Sequence, residues 1–183
     1  MQVETRPLAE LTADRAGQRA RLLAQAWPGS DPGHDPALDP LSLLLVDDSL
    51  VLASLDILSK TIRHRDRDYR ASGLSAVVTE RGQRHHGYGS VLIKTARLSM
   101  HNRRRDLALF SCDSYLGQFY RDGGFELLPG SVLIGGTEQS PLRSDSLDKL
   151  CFGAFFSTHA AAHRSDFIEA EIALYPGDID RLW

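Results

Sequence analysis

The segment Arg84-His85-His86-Gly87-Tyr88-Gly89 combines a fixed positive charge with two closely spaced glycines. A run of strand-forming residues ends shortly before it at Thr79, and a long amphipathic stretch follows it. Glycine lets backbone N–H groups approach a ligand without interference from a side chain, and N–H groups at the start of a helix attract anions. The segment therefore predicts a pyrophosphate site, although a glycine-containing turn beside a surface arginine would show the same spacing.

Two common nucleotide-binding patterns do not fit this segment. A Rossmann fingerprint usually lies near the start of a domain and is followed about 20 residues later by an acidic ribose ligand, which is missing here. A P-loop requires Gly-Lys-Ser/Thr, which the chain lacks. Instead, a second strand and helix follow, with Tyr120 late in the helix and Gly123-Gly124-Phe125 directly after it.

Together these two segments, which span roughly residues 70–127, resemble the GNAT N-acyltransferases. In that family Arg/Gln-x-x-Gly-x-Gly/Ala holds the pyrophosphate of acyl-CoA, and a helix ending in Tyr-x-x-x-Gly-Phe follows. The resemblance implies an α/β (α+β) fold with a central mixed, mostly antiparallel sheet flanked by helices, and acetyl-CoA as cofactor. The cofactor-binding residues that it implies are Ala76, Val77 and Val78 along the pantetheine arm and Arg84, His85, His86, Gly87, Tyr88, Gly89 and Ser90 at the pyrophosphate.

The resemblance also suggests catalytic residues. Tyr120 would be the general acid that protonates the departing CoA thiolate, a role suited to a phenol of pKa about 10; the alternative is a tyrosine that only packs in the core. Many relatives carry a glutamate on the strand before the CoA loop, where this chain has Ser75, which can hold a water but cannot itself be the base. Asp113 is the substitute candidate, and the alternative, which the pattern favours, is that it caps the next helix.

The C-terminal third resembles a narrower group, the aminoglycoside 2'-N-acetyltransferases. The resemblance lies in residues 129–133, in residues 140–145 and in the ending Gly177-Asp178-Ile179-Asp180-Arg181-Leu182-Trp183, which is longer than the family's Gly-Asp-Val-Trp. Those enzymes hold a polycationic sugar with acidic side chains and the terminal carboxylate. The substrate-binding residues implied are Asp35, Asp145, Asp148, Asp178, Asp180 and Trp183, although each acid could also be a solvated loop residue.

Three functions follow as hypotheses. The first is acetyl transfer from acetyl-CoA to a primary amine of a small cationic molecule, with the 2'-amino group of an aminoglycoside as one candidate. The second is acetylation of a peptide or protein amine on the same fold. The third is an acyl-CoA-binding module without turnover, which the missing glutamate favours and Tyr120 opposes.

Composition narrows the class of protein. The chain has 183 residues, 42% hydrophobic and 25% charged, which predicts a single domain over residues 1–183. The net charge is −3, whereas a nucleic-acid-binding protein would need an excess of basic residues, so we expect no nucleic-acid partner. A negative net charge is compatible with a cationic substrate. Cys112 and Cys151 match no metal spacing, so we predict buried reduced thiols and no metal. No apolar run reaches the ~20 residues of a membrane span, and Met1-Gln2-Val3-Glu4 lacks a signal-peptide pattern. We therefore expect a cytoplasmic protein without a membrane partner. A homodimer is possible, but the sequence does not decide the oligomeric state.

These residues must be positioned by elements that the patterns also predict. Helices are expected at 11–27, capped by Thr12, at 87–103 and at 114–122. In the first helix Ala16, Leu22, Leu23 and Ala26 recur at roughly helical spacing and should form its apolar side. The second helix should bury Val91, Leu92, Thr95, Ala96 and Leu98. Strands are expected at 41–46 and 50–58, joined as a hairpin, and at 69–79, 107–112, 132–134, 151–156 and 168–174. Residues 61–68 are expected to be a charged connection and residues 137–148 a polar loop.

Overall fold

The computed structural model describes residues 1–29, 31, 33–177 and 180–183. The helices in this part of the chain are α1 (Ala13–Ala26), α2 (Tyr88–Asn102), α3 (Gly117–Asp122) and α4 (Thr158–Ala162). The strands are β1 (Gln2–Pro7), β2 (Leu41–Asp47), β3 (Leu50–His64), β4 (Arg67–Thr79), β5 (Leu107–Asp113), β6 (Glu126–Leu127), β7 (Val132–Thr137), β8 (Ser140–Arg143), β9 (Lys149–Phe155) and β10 (Glu171–Ala173). The predicted mixed α/β class is confirmed.

The chain forms two compact units. The first unit comprises Met1–Leu58 and Leu74–Ala96, and the second comprises Ser59–Gly73 and Arg97–Trp183. Strands β3 and β4 and helix α2 contribute residues to both units. The single domain over the whole chain therefore stays a prediction.

The first unit contains the predicted helix and hairpin. The side chain of Thr12 accepts a hydrogen bond from Arg15 N at 3.3 Å and so caps α1 as expected. Strand β2 pairs antiparallel with both β1 and β3. One core cluster joins α1 to strands β2, β3 and β4 and consists of buried Leu22, Leu23, Leu44, Val46, Val51 and Val78.

The buried faces of two helices differ from the prediction. In α1, Ala16 is exposed and the polar residues Gln18 and Arg19 are buried instead. In α2, Val91 and Leu98 are 43% and 58% exposed. The buried side of α2 consists of Leu92, Ile93, Ala96 and Met100. This set keeps the spacing of one helical face, whereas residues 91, 95 and 98 lie on the neighbouring stripe.

The predicted charged connection at 61–68 is wrong, because β3 continues to His64 and β4 begins at Arg67. Only Arg65 and Asp66 form the turn, with φ of 44° and 61°. Two central residues with positive φ are typical of a tight hairpin turn. Buried Ile62 and His64 alternate with exposed Arg63 and Arg65. The two-residue period of a strand was therefore present in the sequence, but the many charged residues suggested a loop.

The second unit contains two groups of strands. Strand β4 pairs in parallel with β5, and β5 pairs antiparallel with β9, which also pairs with β6. Strands β10, β7 and β8 form a separate three-stranded sheet. The polar loop predicted at 137–148 is wrong in part because Ser140–Arg143 pairs with β7, and the strand predicted at 168–174 is shorter, Glu171–Ala173. In the described part of the chain, no helix is long and apolar enough to cross a membrane.

Candidate active site

In the loop before α2, residues 80–87, the basic residues and the glycines lie at the surface. Arg84, His85, His86 and Gly87 are exposed. Gly87 has φ of 82°, and a Cβ at this position would meet no atom within 4 Å, so conformation rather than space requires glycine here. Val91 N donates to Gly87 O at 3.1 Å, which begins the hydrogen-bond ladder of α2. The first-turn N–H groups of a helix lack intrahelical acceptors, so this end of α2 can receive an anion.

The end of α1 fixes the position of this loop. The side-chain amide of Gln25 donates to the Glu80 carboxylate at 2.7 Å. The Arg81 guanidinium donates to the backbone oxygen of Gln25. Glu80 N donates to Leu52 O on β3 at 2.9 Å. The first half of the loop is thereby tied to both a helix and a strand of the first unit.

The two histidines of the loop have different surroundings. His86 stacks on Tyr88 with ring centroids 5.7 Å apart and planes at 26°. Its Nδ1 lies 3.0 Å from Arg84 O, so the ring is held against the backbone of the loop. His85 is exposed and has φ of 67°. Neither the sequence pattern nor the resemblance predicted these contacts of His86 with Arg84 and Tyr88.

Strand β4 is distorted at the residues expected along the pantetheine arm. Ala76 has φ of 52°, a left-handed conformation that costs energy in a residue with a Cβ. Such a residue within a strand is typical of a β-bulge, which bends the strand and redirects its side chains. Ser75 and Val77 are half-buried, and Val78 packs in the core of the first unit.

Tyr120, the predicted general acid, lies deep in the second unit. Tyr120 is 5% exposed, and its ring contacts Phe110, Phe119 and Phe152, with the Phe110 centroid at 4.8 Å. Burial raises the pKa of the Tyr120 phenol well above its usual range, and the nearby Cys112 and Asp113 raise it further. The phenol therefore stays protonated at neutral pH. It can donate a proton, but the same burial fits the alternative of core packing.

Asp113, the predicted substitute base, belongs to an ion pair. Lys149 Nζ lies 2.7 Å from Asp113 Oδ1. The hydrogen bond from Lys149 holds the pKa of the Asp113 carboxyl below its usual range, which makes it a weak proton acceptor. The alternative, a side-chain cap of the following turn, is not formed.

Both thiols are buried and free, as predicted. Burial raises the pKa of the Cys112 thiol to about 11, so it stays protonated at neutral pH. Burial also raises the pKa of the Cys151 thiol. Neither cysteine has the lowered pKa of a reactive nucleophile.

The C-terminal residues pack against the second unit. A Cβ at Gly73 would overlap the Trp183 ring, and a Cβ at Gly135 would overlap the backbone oxygen of Arg181. Lys60 Nζ lies 5.1 Å from the centre of the Trp183 ring. Leu182 is 8% exposed and belongs to the core of this unit. The C-terminal residues therefore pack closely on two glycines: Gly73 leaves space for the Trp183 ring, and Gly135 leaves space for the backbone of Arg181.

The acids predicted to bind substrate have separate surroundings. Asp35, in the first unit, accepts a hydrogen bond from Ala37 N at 2.9 Å and caps a short turn. Asp145, in the second, pairs with Arg143 at 3.0 Å, while Asp148 is exposed with φ of 50°. Asp180 has φ of 54° and is half-buried. Asp178 lies outside the described residues.

Sequence reasoning missed a buried ionic cluster in the first unit, formed by Arg19, His34, Ser42 and Asp56. The Asp56 side chain is 0% exposed, that of Arg19 4% and that of His34 6%. Arg19 and Ser42 donate to the Asp56 carboxylate, and His34 Nε2 lies 3.0 Å from Asp56 Oδ2. A charged residue inside the apolar strand sequence Leu52-Ala53-Ser54-Leu55-Asp56-Ile57-Leu58 was the available signal.

The hydrogen-bonding and charged partners of Asp56 lower the pKa of its carboxyl by more than burial raises it. Burial by itself would raise the pKa of this carboxyl. The hydrogen bond with His34, the charge and hydrogen bond of Arg19, and the hydrogen bond of Ser42 together bring the pKa below its usual range. Asp56 is therefore ionised at neutral pH and, together with Arg19, forms a buried ion pair.

Comparison with solved structures identifies the fold as that of GNAT acyltransferases. An acyl-CoA N-acyltransferase from Pseudomonas aeruginosa is 19% identical at a TM-score of 0.60, over 83% of this chain and 97% of its own. Escherichia coli ElaA is 17% identical at 0.60, over the same shares. An aminoglycoside 6'-N-acetyltransferase complexed with coenzyme A is 11% identical at 0.59, over 86% of this chain and 98% of its own. No family model matches the sequence, and no curated protein matches it significantly.

Proposed function

We propose that this protein is an acetyl-CoA-dependent N-acetyltransferase that acts on a primary amine of a small cationic molecule. The observation that carries the proposal is the turn at Gly87. It opens α2 with a left-handed glycine, an exposed Arg84 and a set of first-turn N–H groups, on a fold shared with acyl-CoA acyltransferases. This arrangement suits the pyrophosphate of coenzyme A.

The cofactor residues have distinct roles in this proposal. Arg84 supplies charge, and the backbone N–H groups of Tyr88, Gly89 and Ser90 would donate to the phosphates. Ala76, Val77 and Val78 would pair with the pantetheine arm through their backbone. The bulge at Ala76 supports this role, because a bulge interrupts regular pairing and redirects backbone groups.

The transfer itself would be a direct attack of the amine on the thioester. The amine nitrogen forms a bond to the carbonyl carbon, the C–S bond breaks, and the nitrogen loses a proton. Tyr120 would supply a proton to the departing thiolate. Its protonated state at neutral pH supports a donor role. The candidates for removing the amine proton are a water on Ser75 and the carboxylate of Asp113, and the ion pair with Lys149 makes Asp113 the weaker proton acceptor.

The acceptor in this proposal is polycationic, with the 2'-amino group of an aminoglycoside as the specific candidate. The similar fold of an aminoglycoside 6'-N-acetyltransferase supports an amino sugar but concerns a different amine. Asp35, Asp148, Asp178 and Asp180 would attract ammonium groups, and Trp183 completes the proposed set of acceptor-binding residues. Asp145 would contribute less, because Arg143 already neutralises it.

The test is a panel of amines incubated with acetyl-CoA, with free thiol release as the readout. The panel includes aminoglycosides with and without a 2'-amino group, simple polyamines and peptides with a free N-terminus. Acetyl transfer to a polycationic amine confirms the proposal. Loss of transfer to the aminoglycosides that lack a 2'-amino group identifies that amine as the acceptor. Transfer to peptides alone favours the second hypothesis. Tight acetyl-CoA binding in calorimetry with no transfer to any amine would indicate the binding module, which the deep burial of Tyr120 favours.

A further inference from the structure

A lysine of strand β3, Lys60, contacts the C-terminal segment at two separate places. Its Nζ donates a hydrogen bond to Leu174 O and lies 3.5 Å from Pro176 O. The same Nζ lies 5.1 Å from the centre of the Trp183 ring. Lys60 therefore reaches both the beginning of the segment and its last residue. All four residues belong to the second unit.

The groups around Lys60 are those by which proteins bind an ammonium ion. Backbone carbonyl oxygens accept hydrogen bonds from its three N–H groups. The face of an indole ring attracts a cation through the ring's quadrupole, and tryptophan does so better than the other aromatic side chains. Lys60 is half-buried, so these contacts are partly shielded from water, which strengthens them. One ammonium group thus connects two parts of the segment that are separated along the chain.

The ring of Trp183 depends on this cation for its orientation. Trp183 Nε1 is buried and has no hydrogen-bond partner among the described residues. The ring packs against the core cluster of the second unit and over Gly73, where a Cβ would overlap it. Apolar packing is non-directional, whereas a cation is attracted specifically to the face of a ring. We therefore expect Lys60 to fix the orientation of the Trp183 ring.

Strand β7 holds the backbone of the same segment. Leu174 N donates to Ile134 O at 2.7 Å, and the backbone of Arg181 packs on Gly135. Strand β7 belongs to the three-stranded sheet, whereas Lys60 lies on a strand of the larger sheet. The segment is therefore held from two sheets: β7 binds its backbone, and Lys60 binds its carbonyl oxygens and its terminal ring.

The charge of Lys60 opposes the binding of a cationic acceptor. A fixed positive charge repels an incoming ammonium group, so by charge alone Lys60 would weaken acceptor binding. Its contacts act in the opposite direction, because they hold the segment that carries Asp180 and Trp183, two of the proposed acceptor-binding residues. The two effects have opposite signs and can be separated by experiment.

We infer that Lys60 is a positioning residue for the acceptor: it holds the C-terminal segment in the arrangement in which Asp180 and Trp183 bind the amine. The inference rests on the proposed function. Lys60 does not contact the amine and takes no part in the chemical step, since its ammonium group stays bound to the carbonyl oxygens and the indole ring. Its loss should therefore affect acceptor binding and leave cofactor binding and turnover unchanged.

The kinetic test compares Lys60→Met with Arg63→Met. Methionine keeps much of the length of the lysine stem but has neither charge nor donor. Arg63 is an exposed residue of the same strand, and its substitution removes the same charge. For Lys60→Met we expect KM for the amine to rise about tenfold, through loss of a charged hydrogen bond and a cation–π contact. Its kcat and its KM for acetyl-CoA should stay near the wild-type values, and Arg63→Met should match the wild type throughout.

The direction of the change in KM separates positioning from charge. If Lys60 acted through its charge alone, Lys60→Met would lower KM for the cationic amine, because a repulsion is removed. A lowered or unchanged KM in the folded variant overturns the inference while the proposed function stands. A wild type that acetylates no amine overturns the proposed function and, with it, the inference.

Two further measurements need no acceptor. The chain has two tryptophans, so Trp27→Phe leaves Trp183 as the single fluorophore of this kind. In that background acrylamide should quench Trp183 more strongly after Lys60→Met than after Arg63→Met, and equal quenching overturns the inference. NMR of the wild-type protein requires no variant to fold: the Trp183 ring should shift the Hε protons of Lys60 upfield, and ordinary shifts overturn the inference.

Discussion

Replacing Arg19 by methionine should strongly destabilise the first unit. Methionine fills much of the same volume but removes the cation and its hydrogen bonds. Asp56, whose side chain is 0% exposed, then keeps His34 and Ser42 as its side-chain partners among the described residues. Removing one partner of a buried ion pair costs about 3–5 kcal/mol. This is a large part of the roughly 5–15 kcal/mol by which ordinary domains are stable.

Urea denaturation followed by circular dichroism measures the effect. With a slope near 2 kcal/mol/M, the midpoint should fall by about 2 M. The matched control is Arg63→Met, since Arg63 pairs with Asp66 at 3.5 Å with both side chains largely exposed. Exposed pairs contribute little to stability, so the control should keep the wild-type midpoint. Equal midpoints for Arg19→Met and Arg63→Met would refute the reasoning that burial makes the first pair important.

The same pair predicts how stability depends on pH. The partners of Asp56 lower its folded-state pKa below the unfolded value of about 3.9. A depressed carboxyl pKa contributes stability that is complete above the unfolded pKa and is lost as pH falls through the folded pKa. Wild-type midpoints should therefore fall below about pH 4. Asp56→Asn should lack this part of the acid dependence, and an identical acid dependence would contradict the assignment.

The remaining predictions concern the cofactor, the acid and the tail. Arg84→Ala combined with Gly87→Val should weaken acetyl-CoA binding, because it removes a charge and places a β-branched residue at φ of 82°; unchanged affinity in calorimetry of the folded variant would rule out the pyrophosphate site. Tyr120→Phe should lower turnover by about 10²- to 10⁴-fold at constant CoA affinity, whereas a wild-type rate would leave Tyr120 a packing residue. Deletion from Asp178 onward should raise KM for the amine but not for acetyl-CoA, and unaltered amine kinetics would disprove the tail's role in the acceptor site.

The sequence was sufficient for features that depend on neighbouring residues. The capped helix α1, the hairpin of β2 and β3, and the helix after Gly87 follow from local periodicity and from glycine and cap residues. The order of these elements, with the two motifs that resemble GNAT enzymes, also determined the fold class. The prediction from sequence was wrong at 61–68. The many charged residues there suggested a loop, but these residues belong to strands β3 and β4 and the turn between them.

Only the tertiary structure decided which distant residues meet. Nothing near Arg19 in the sequence indicates that its guanidinium reaches a carboxylate on β3, and the space at Gly73 has meaning only once the Trp183 ring occupies it. Likewise, the lowered pKa of Asp113 depends on Lys149, which arrives from the paired strand β9. Charge and burial act between atoms a few ångströms apart, and residues far apart in the chain reach that distance only when it folds.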